Sequence, residues 1–125
     1  MGILEIRDCT IRFGGLTAVK SLNMSLERGA LYGLIGPNGA GKTTVFNLLT
    51  GVYRPNEGSI ELDGKSIARL RPSRIAQLGM SRTFQNIRLF KSMTVLENVK
   101  LARHLTRTQG GFDAIVRTRR LREEE

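Results

Sequence analysis

Gly36-Pro37-Asn38-Gly39-Ala40-Gly41-Lys42-Thr43-Thr44 decides the reading of this chain. The stretch fits the phosphate-loop pattern G-x-x-x-x-G-K-[ST], with Gly36, Gly41, Lys42 and Thr43 on the fixed positions. Its flanks match the same context. Upstream, Ala30-Leu31-Tyr32-Gly33-Leu34-Ile35 is a short apolar run that predicts a strand buried on both faces. Downstream, Val45, Leu48, Leu49 and Val52 recur at helical spacing, and Gly51 predicts a helix stop.

The residue types suit a triphosphate. Backbone N–H groups from about Asn38 to Thr44 can surround a β-phosphate at the positive end of the following helix. Gly36, Gly39 and Gly41 carry no side chains that would block this approach. Lys42 is placed to reach the β- and γ-phosphates as a point charge. The Thr43 hydroxyl suits Mg²⁺, which prefers oxygen ligands and bridges the same phosphates. The competing reading, a glycine-rich surface turn before a helix, explains neither the lysine nor the flanking elements.

The chain of 125 residues has room for one domain or part of a larger one. With 40% hydrophobic residues it can build a core. Cys9 is the only cysteine, so no intrachain disulfide forms. It lies in strand-like sequence, which predicts a buried structural thiol. Met1 to Ile6 has neither the basic start nor the apolar stretch of a secretory leader, and no apolar run reaches membrane-spanning length. A reducing cytoplasm is therefore the expected compartment, with any membrane role exercised through a partner.

The net charge of +9 is uneven. Residues 1–60 hold six basic and four acidic side chains, and residues 61–125 hold fourteen and seven. Such an excess permits nucleic acid or anionic lipid. However, the arginines are scattered and no aromatic stacking cluster accompanies them. A solvated face is expected, and no nucleic-acid partner.

In chain order, residues 3–13 read as a strand whose phase flips near Asp8, predicting a bend or bulge there. Leu4 and Ile6 fall on one face, and Cys9, Ile11 and Phe13 on the other. Gly14-Gly15 is a turn, and Leu22, Met24 and Leu26 alternate as a second strand. Phe13, beside that turn, is either an ordinary core residue at a strand end or an aromatic face for a base. Residues 53–58 are turn chemistry, and residues 59–64 a short strand ending in a tight turn. Pro72 opens a helix through Ile75 and Leu78 that Gly79 ends.

Residues 80–84 look extended. Residues 85–93 form a polar loop with apolar Ile87, Leu89, Phe90 and Met93, which either fold back on the core or meet another protein. Thr94 and Glu97 fit a capping box for a helix whose Val95, Val99 and Ala102 share a face. His104 has no second His or Cys nearby and reads as a surface residue. Gly110-Gly111 breaks that helix, and residue 112 onward is helical again and basic. The closing Glu123-Glu124-Glu125 opposes the helix dipole, so the chain is expected to be cut inside a helix.

Phe13 to Val19, Gly36 to Thr44, Arg82 to Phe90 and Met93 to Val99 together resemble the N-terminal half of an ABC-transporter ATP-binding subunit. The similarity covers roughly residues 3–105 and is nearest the LivG type, which drives import of branched-chain amino acids. It implies an α/β fold of the P-loop NTPase class: an antiparallel β subdomain, a parallel-sheet core and the start of a helical subdomain, incomplete here. Residues 1–125 would form one partial domain, with residues 1–93 as β subdomain and P-loop core and residues 94–125 opening the helical subdomain.

The resemblance also implies roles. Phe13 stacks on adenine, with Val19 also at the nucleotide. Gly36, Pro37, Asn38, Gly39, Ala40, Gly41, Lys42, Thr43 and Thr44 form the Walker A loop. Lys42 and Gln85 are the catalytic positions, and Thr43 and Gln85 the Mg²⁺ positions. The implied cofactors are ATP and Mg²⁺. The implied partners are integral membrane permease subunits and a second ATPase subunit in a head-to-tail dimer. The implied location is peripheral, on the cytoplasmic face of the inner membrane.

No Leu-Ser-Gly-Gly-Gln-like signature, no apolar strand ending in Asp-Glu and no histidine after such a strand occurs in the chain. Nucleotide binding without turnover is therefore expected. Competing readings are an ABC ATPase for urea or lipopolysaccharide, a soluble ABC protein acting on nucleic acid or ribosomes, and a P-loop kinase or GTPase. The two strands before residue 30 and the Gln85 stretch argue against the last.

Overall fold

The computed structural model describes residues 2–86 and 88–103. They fall into two units divided between Thr83 and Phe84. The first holds a four-stranded antiparallel sheet of β1 (Leu4–Phe13), β2 (Leu16–Leu26), β3 (Glu57–Leu62) and β4 (Lys65–Ser66), in the order β2-β1-β3-β4. It also holds the helices α1 (Lys42–Leu49) and α2 (Pro72–Gln77). The second unit contributes α3 (Val95–Arg103). The α/β fold with an antiparallel sheet is as the sequence predicts.

The bulge expected near Asp8 is present. Asp8 takes φ 47°, and the pairing of β1 shifts register between Ile6 and Cys9 against β2 and between Arg7 and Thr10 against β3. An extra residue in one strand reverses the parity of all that follow. Leu4 and Ile6 therefore face the same core as Cys9 and Ile11, although simple alternation assigns the two pairs to opposite faces. Phe13 is the exception: it leaves the core and is 41% exposed.

Gly58, opposite the bulge, takes φ +88°. A Cβ there would lie 2.5 Å from the carbonyl oxygens of both Arg7 and Asp8. Ile60, Ile67 and Ile75 fill the centre of the core, with Leu48 joining them from α1.

The second strand is longer than its alternation suggests, because the Gly14-Gly15 turn folds the chain straight back and pairs Leu16 with Phe13. The tight turn after β3 is Asp63-Gly64. α2 opens at Pro72, as expected, and ends before Gly79, which takes φ 102°.

One expected strand is absent. Residues 30–35 pair with no strand among the described residues. Leu31 is 100% exposed and Ile35 is 95% exposed. An apolar run becomes a buried strand only when neighbours supply ladder hydrogen bonds and a covering layer. Neither is present among the described residues, so the parallel part of the sheet is not formed there.

In the second unit, the capping box is complete. The Thr94 backbone N–H and hydroxyl donate to Glu97 Oε2 at 2.7 and 2.9 Å, and the Glu97 N–H donates to Thr94 Oγ1 at 3.3 Å. Asn98 ties the preceding loop to the helix: its Nδ2 donates to the carbonyls of Thr94 and Phe90, and its Oδ1 accepts the Phe90 N–H. Leu89, Phe90 and Met93 are exposed, as are Val95 and Val99 on α3. Ile87, His104, the Gly110-Gly111 break and the basic tail lie outside the described residues.

Candidate nucleotide site

The site is built where the phosphate loop meets the β1–β2 hairpin. Gly41 is the N-cap of α1 in the left-handed conformation, φ 90° and ψ 5°. A Cβ on Gly41 would lie 2.8 Å from the Ala18 carbonyl oxygen and 3.4 Å from Val19 Cγ2. Only glycine lets the loop lie this close to β2. Gly36 is held closely too, since a Cβ there would lie 3.2 Å from Ala40 Cβ.

The cap has no side-chain acceptor, and the first turn of α1 has no acidic residue. The first N–H groups of a helix lack intrahelical acceptors, and the helix dipole adds partial positive charge at this end. The start of α1 is therefore a donor array of the kind that holds an anion. Lys42 adds a full charge. Its Nζ donates to the Gly36 carbonyl and, at 2.7 Å, to the Pro37 carbonyl, so the ammonium lies across the mouth of its own loop.

Phe13, Asn38, Gly39, Gly41, Lys42, Thr43 and Thr44 line one cavity of about 400 Å³. The structure thus brings an aromatic ring from the end of β1 into the same recess as the phosphate loop. Val19 packs behind Gly41 and does not line the recess. Gly36, Pro37 and Ala40 shape the loop from outside it. Gln85 is exposed and belongs to the second unit.

Leu16, Thr17 and Ala18, which no binding motif marks, complete the wall. Their signal was the Gly14-Gly15 turn, which obliges the first residues of β2 to lie beside Phe13. Tyr53, whose ring meets Phe13, had no signal in the sequence.

No group of three or more His, Cys, Asp or Glu side chains suited to a metal occurs among the described residues. Thr43, which lines the recess beside Lys42, carries a hydroxyl oxygen of the kind Mg²⁺ prefers. No helix among the described residues is long and apolar enough to cross a membrane.

A phosphate loop that opens directly into the N-terminus of a helix places the chain in the P-loop class. The family described as ABC transporter matches residues 19–124, and the chain belongs to it. It is 55% identical over 102 residues to the high-affinity branched-chain amino acid transport ATP-binding protein BraF of Pseudomonas aeruginosa, an alignment covering 82% of this chain and 40% of BraF. It is 46% identical over 116 residues to the corresponding protein LivG of Escherichia coli K12, covering 93% of this chain and 46% of LivG. The chain thus spans less than half the length of these curated relatives.

Among solved structures, an ATP-binding cassette of an ABC transporter in its ADP conformation superposes with a TM-score of 0.74 at 31% identity, over 93% of this chain and 45% of that one. The ATP-binding subunit of another ABC transporter superposes with a TM-score of 0.76 at 24% identity, over 87% of this chain and 45% of that one, which bears on the fold alone.

Proposed function

We propose that this chain is the nucleotide-holding portion of an ATP-binding subunit that powers import of branched-chain amino acids. The observation that carries the proposal is the shared recess of Phe13 and the Asn38–Thr44 loop. Its two ends suit the two ends of a nucleotide. The names of BraF and LivG supply the cargo class.

In this reading the N–H groups at the start of α1 take the β-phosphate, and Lys42 leaves its carbonyl partners to bridge β- and γ-oxygens. Phe13 offers a face to adenine, with Val19 holding the loop against β2. The Thr43 hydroxyl would hold Mg²⁺, which would supply charge neutralisation at the phosphates. Gln85 would act with that ion or with the attacking water. The exposed Leu89, Phe90 and Met93 suit contact with an integral membrane permease subunit, which would hold the protein peripherally at the cytoplasmic face. Residues 94–125 open the helical subdomain.

Turnover is a separate matter. Phosphoryl transfer depends on positioning the attacking group and stabilising charge. In sequence the chain holds no Asp-Glu pair and no Leu-Ser-Gly-Gly-Gln-like signature to close a head-to-tail dimer over ATP. It is therefore a binder that does not hydrolyse by itself, within a subunit type that does.

Titration calorimetry with Mg-ATP tests the reading. Binding is expected for this chain, and Lys42→Ala should weaken it about 10- to 100-fold, the equivalent of losing charge-assisted hydrogen bonds. Equal affinity of the two proteins, or no heat with either, overturns it. Steady-state phosphate release above the Lys42→Ala background overturns the claim of no turnover.

A further inference from the structure

Phe13 does not stand alone. Its ring centroid lies 5.0 Å from that of Tyr53, with the planes at 68°, an edge-to-face pair. Whichever ring supplies the edge, Tyr53 leaves at least one Phe13 face clear.

The two rings are held in register by backbone ties. The Tyr53 N–H donates to the Asn47 carbonyl at 3.1 Å, which fixes Tyr53 to the last turn of α1. The Asn56 N–H donates to the Thr10 carbonyl at 2.8 Å, and the Arg12 N–H donates to Asn56 Oδ1 at 2.7 Å. Arg12 also pairs with Glu57 at 2.6 Å. The turn carrying Tyr53 is thereby stitched to the end of β1 carrying Phe13. α1 begins at the phosphate loop and leads to Tyr53, so one short helix links the phosphate end of the recess to the support of its aromatic end.

Resting on the nucleotide-binding reading above, we propose that Tyr53 is a positioning residue for base recognition. It acts through Phe13 rather than by touching the nucleotide. An exposed Phe at a strand end, next to a Gly-Gly turn, has free χ1 and χ2 rotations to lose on binding. A ring braced edge-to-face has lost much of that freedom already, so stacking costs less order. Tyr53 lines no part of the recess, and its loss should leave phosphate binding intact.

The test compares two probes on the same chain by calorimetry: Mg-ATP, which has a base, and Mg-tripolyphosphate, which has none. Tyr53→Leu keeps an apolar side chain but removes the ring. It should weaken Mg-ATP about two- to tenfold, the range of an aromatic pair, while leaving Mg-tripolyphosphate unchanged. Tyr53→Phe, which restores the ring, should restore Mg-ATP affinity.

If Tyr53→Leu weakens both probes equally, Tyr53 is merely structural and the inference falls. If it weakens neither, or if Tyr53→Phe fails to rescue, the inference also falls. Failure of the unsubstituted chain to bind either probe would instead overturn the nucleotide-binding reading itself.

Discussion

Arg82 Nη1 donates to Asn47 Oδ1 at 2.8 Å, and the same guanidinium lies 5.6 Å from the centroid of Phe46. The chain leaving the first unit is thereby strapped to the helix that begins at the phosphate loop. Arg82 makes a further interaction as well. Arg82→Ala should destabilise the fold by about 1–3 kcal/mol, as for a hydrogen bond to a charged group with a cation–π contact added. Urea melts of Arg82→Ala, Asn47→Ala and the double variant isolate the shared part. A coupling energy of zero would mean that the strap contributes nothing.

Gly58→Ala should be among the most damaging single-methyl changes in the chain. Its φ of +88° alone costs an L-residue about 1–3 kcal/mol. The new Cβ also meets the carbonyl oxygens of Arg7 and Asp8, which belong to the bulge and cannot swing aside. A chemical melt should show a loss at or beyond the upper end of that range. A loss below about 0.5 kcal/mol would contradict the tight approach of β3 to the bulge.

Cys9 is fully buried, and burial pushes its thiol pKa up. The neutral form is the one the fold favours. Its ordinary pKa is about 8.5. Stability should therefore hold below that pH and fall as pH rises from there towards the raised folded value. A thiol reagent at pH 8 should label the native chain slowly and the urea-unfolded chain fast. Equal rates would show that the β1 core opens freely.

The Thr94 backbone N–H and then its hydroxyl hold the Glu97 carboxyl below its ordinary pKa. A depressed carboxylate contributes stability that is present above the unfolded value of about 4.3 and lost as pH falls through the folded one. α3 should fray across that acidic window, read by the NMR shifts of Glu97 and Asn98. Glu97→Gln keeps a reaching acceptor but cannot titrate, so it should abolish the pH step. Persistence of the step in that variant would assign it to another group.

The phosphate loop, the bulge at Asp8, the turn at Gly64, the stop at Gly79 and the capping box at Thr94 and Glu97 were all legible in the sequence. Each is a local device: a few adjacent residues whose backbone angles or short-range hydrogen bonds are set by their own chemistry. Tertiary structure alone decided the rest. It turned Leu4 and Cys9 to one core, because a bulge reverses parity for every residue beyond it. It left Leu31 and Ile35 uncovered, because a strand exists only through its neighbours. It brought Phe13 to the phosphate loop and Tyr53 to Phe13, because those contacts span 25 to 40 residues and depend on how β1, β2 and α1 pack, which no local pattern records.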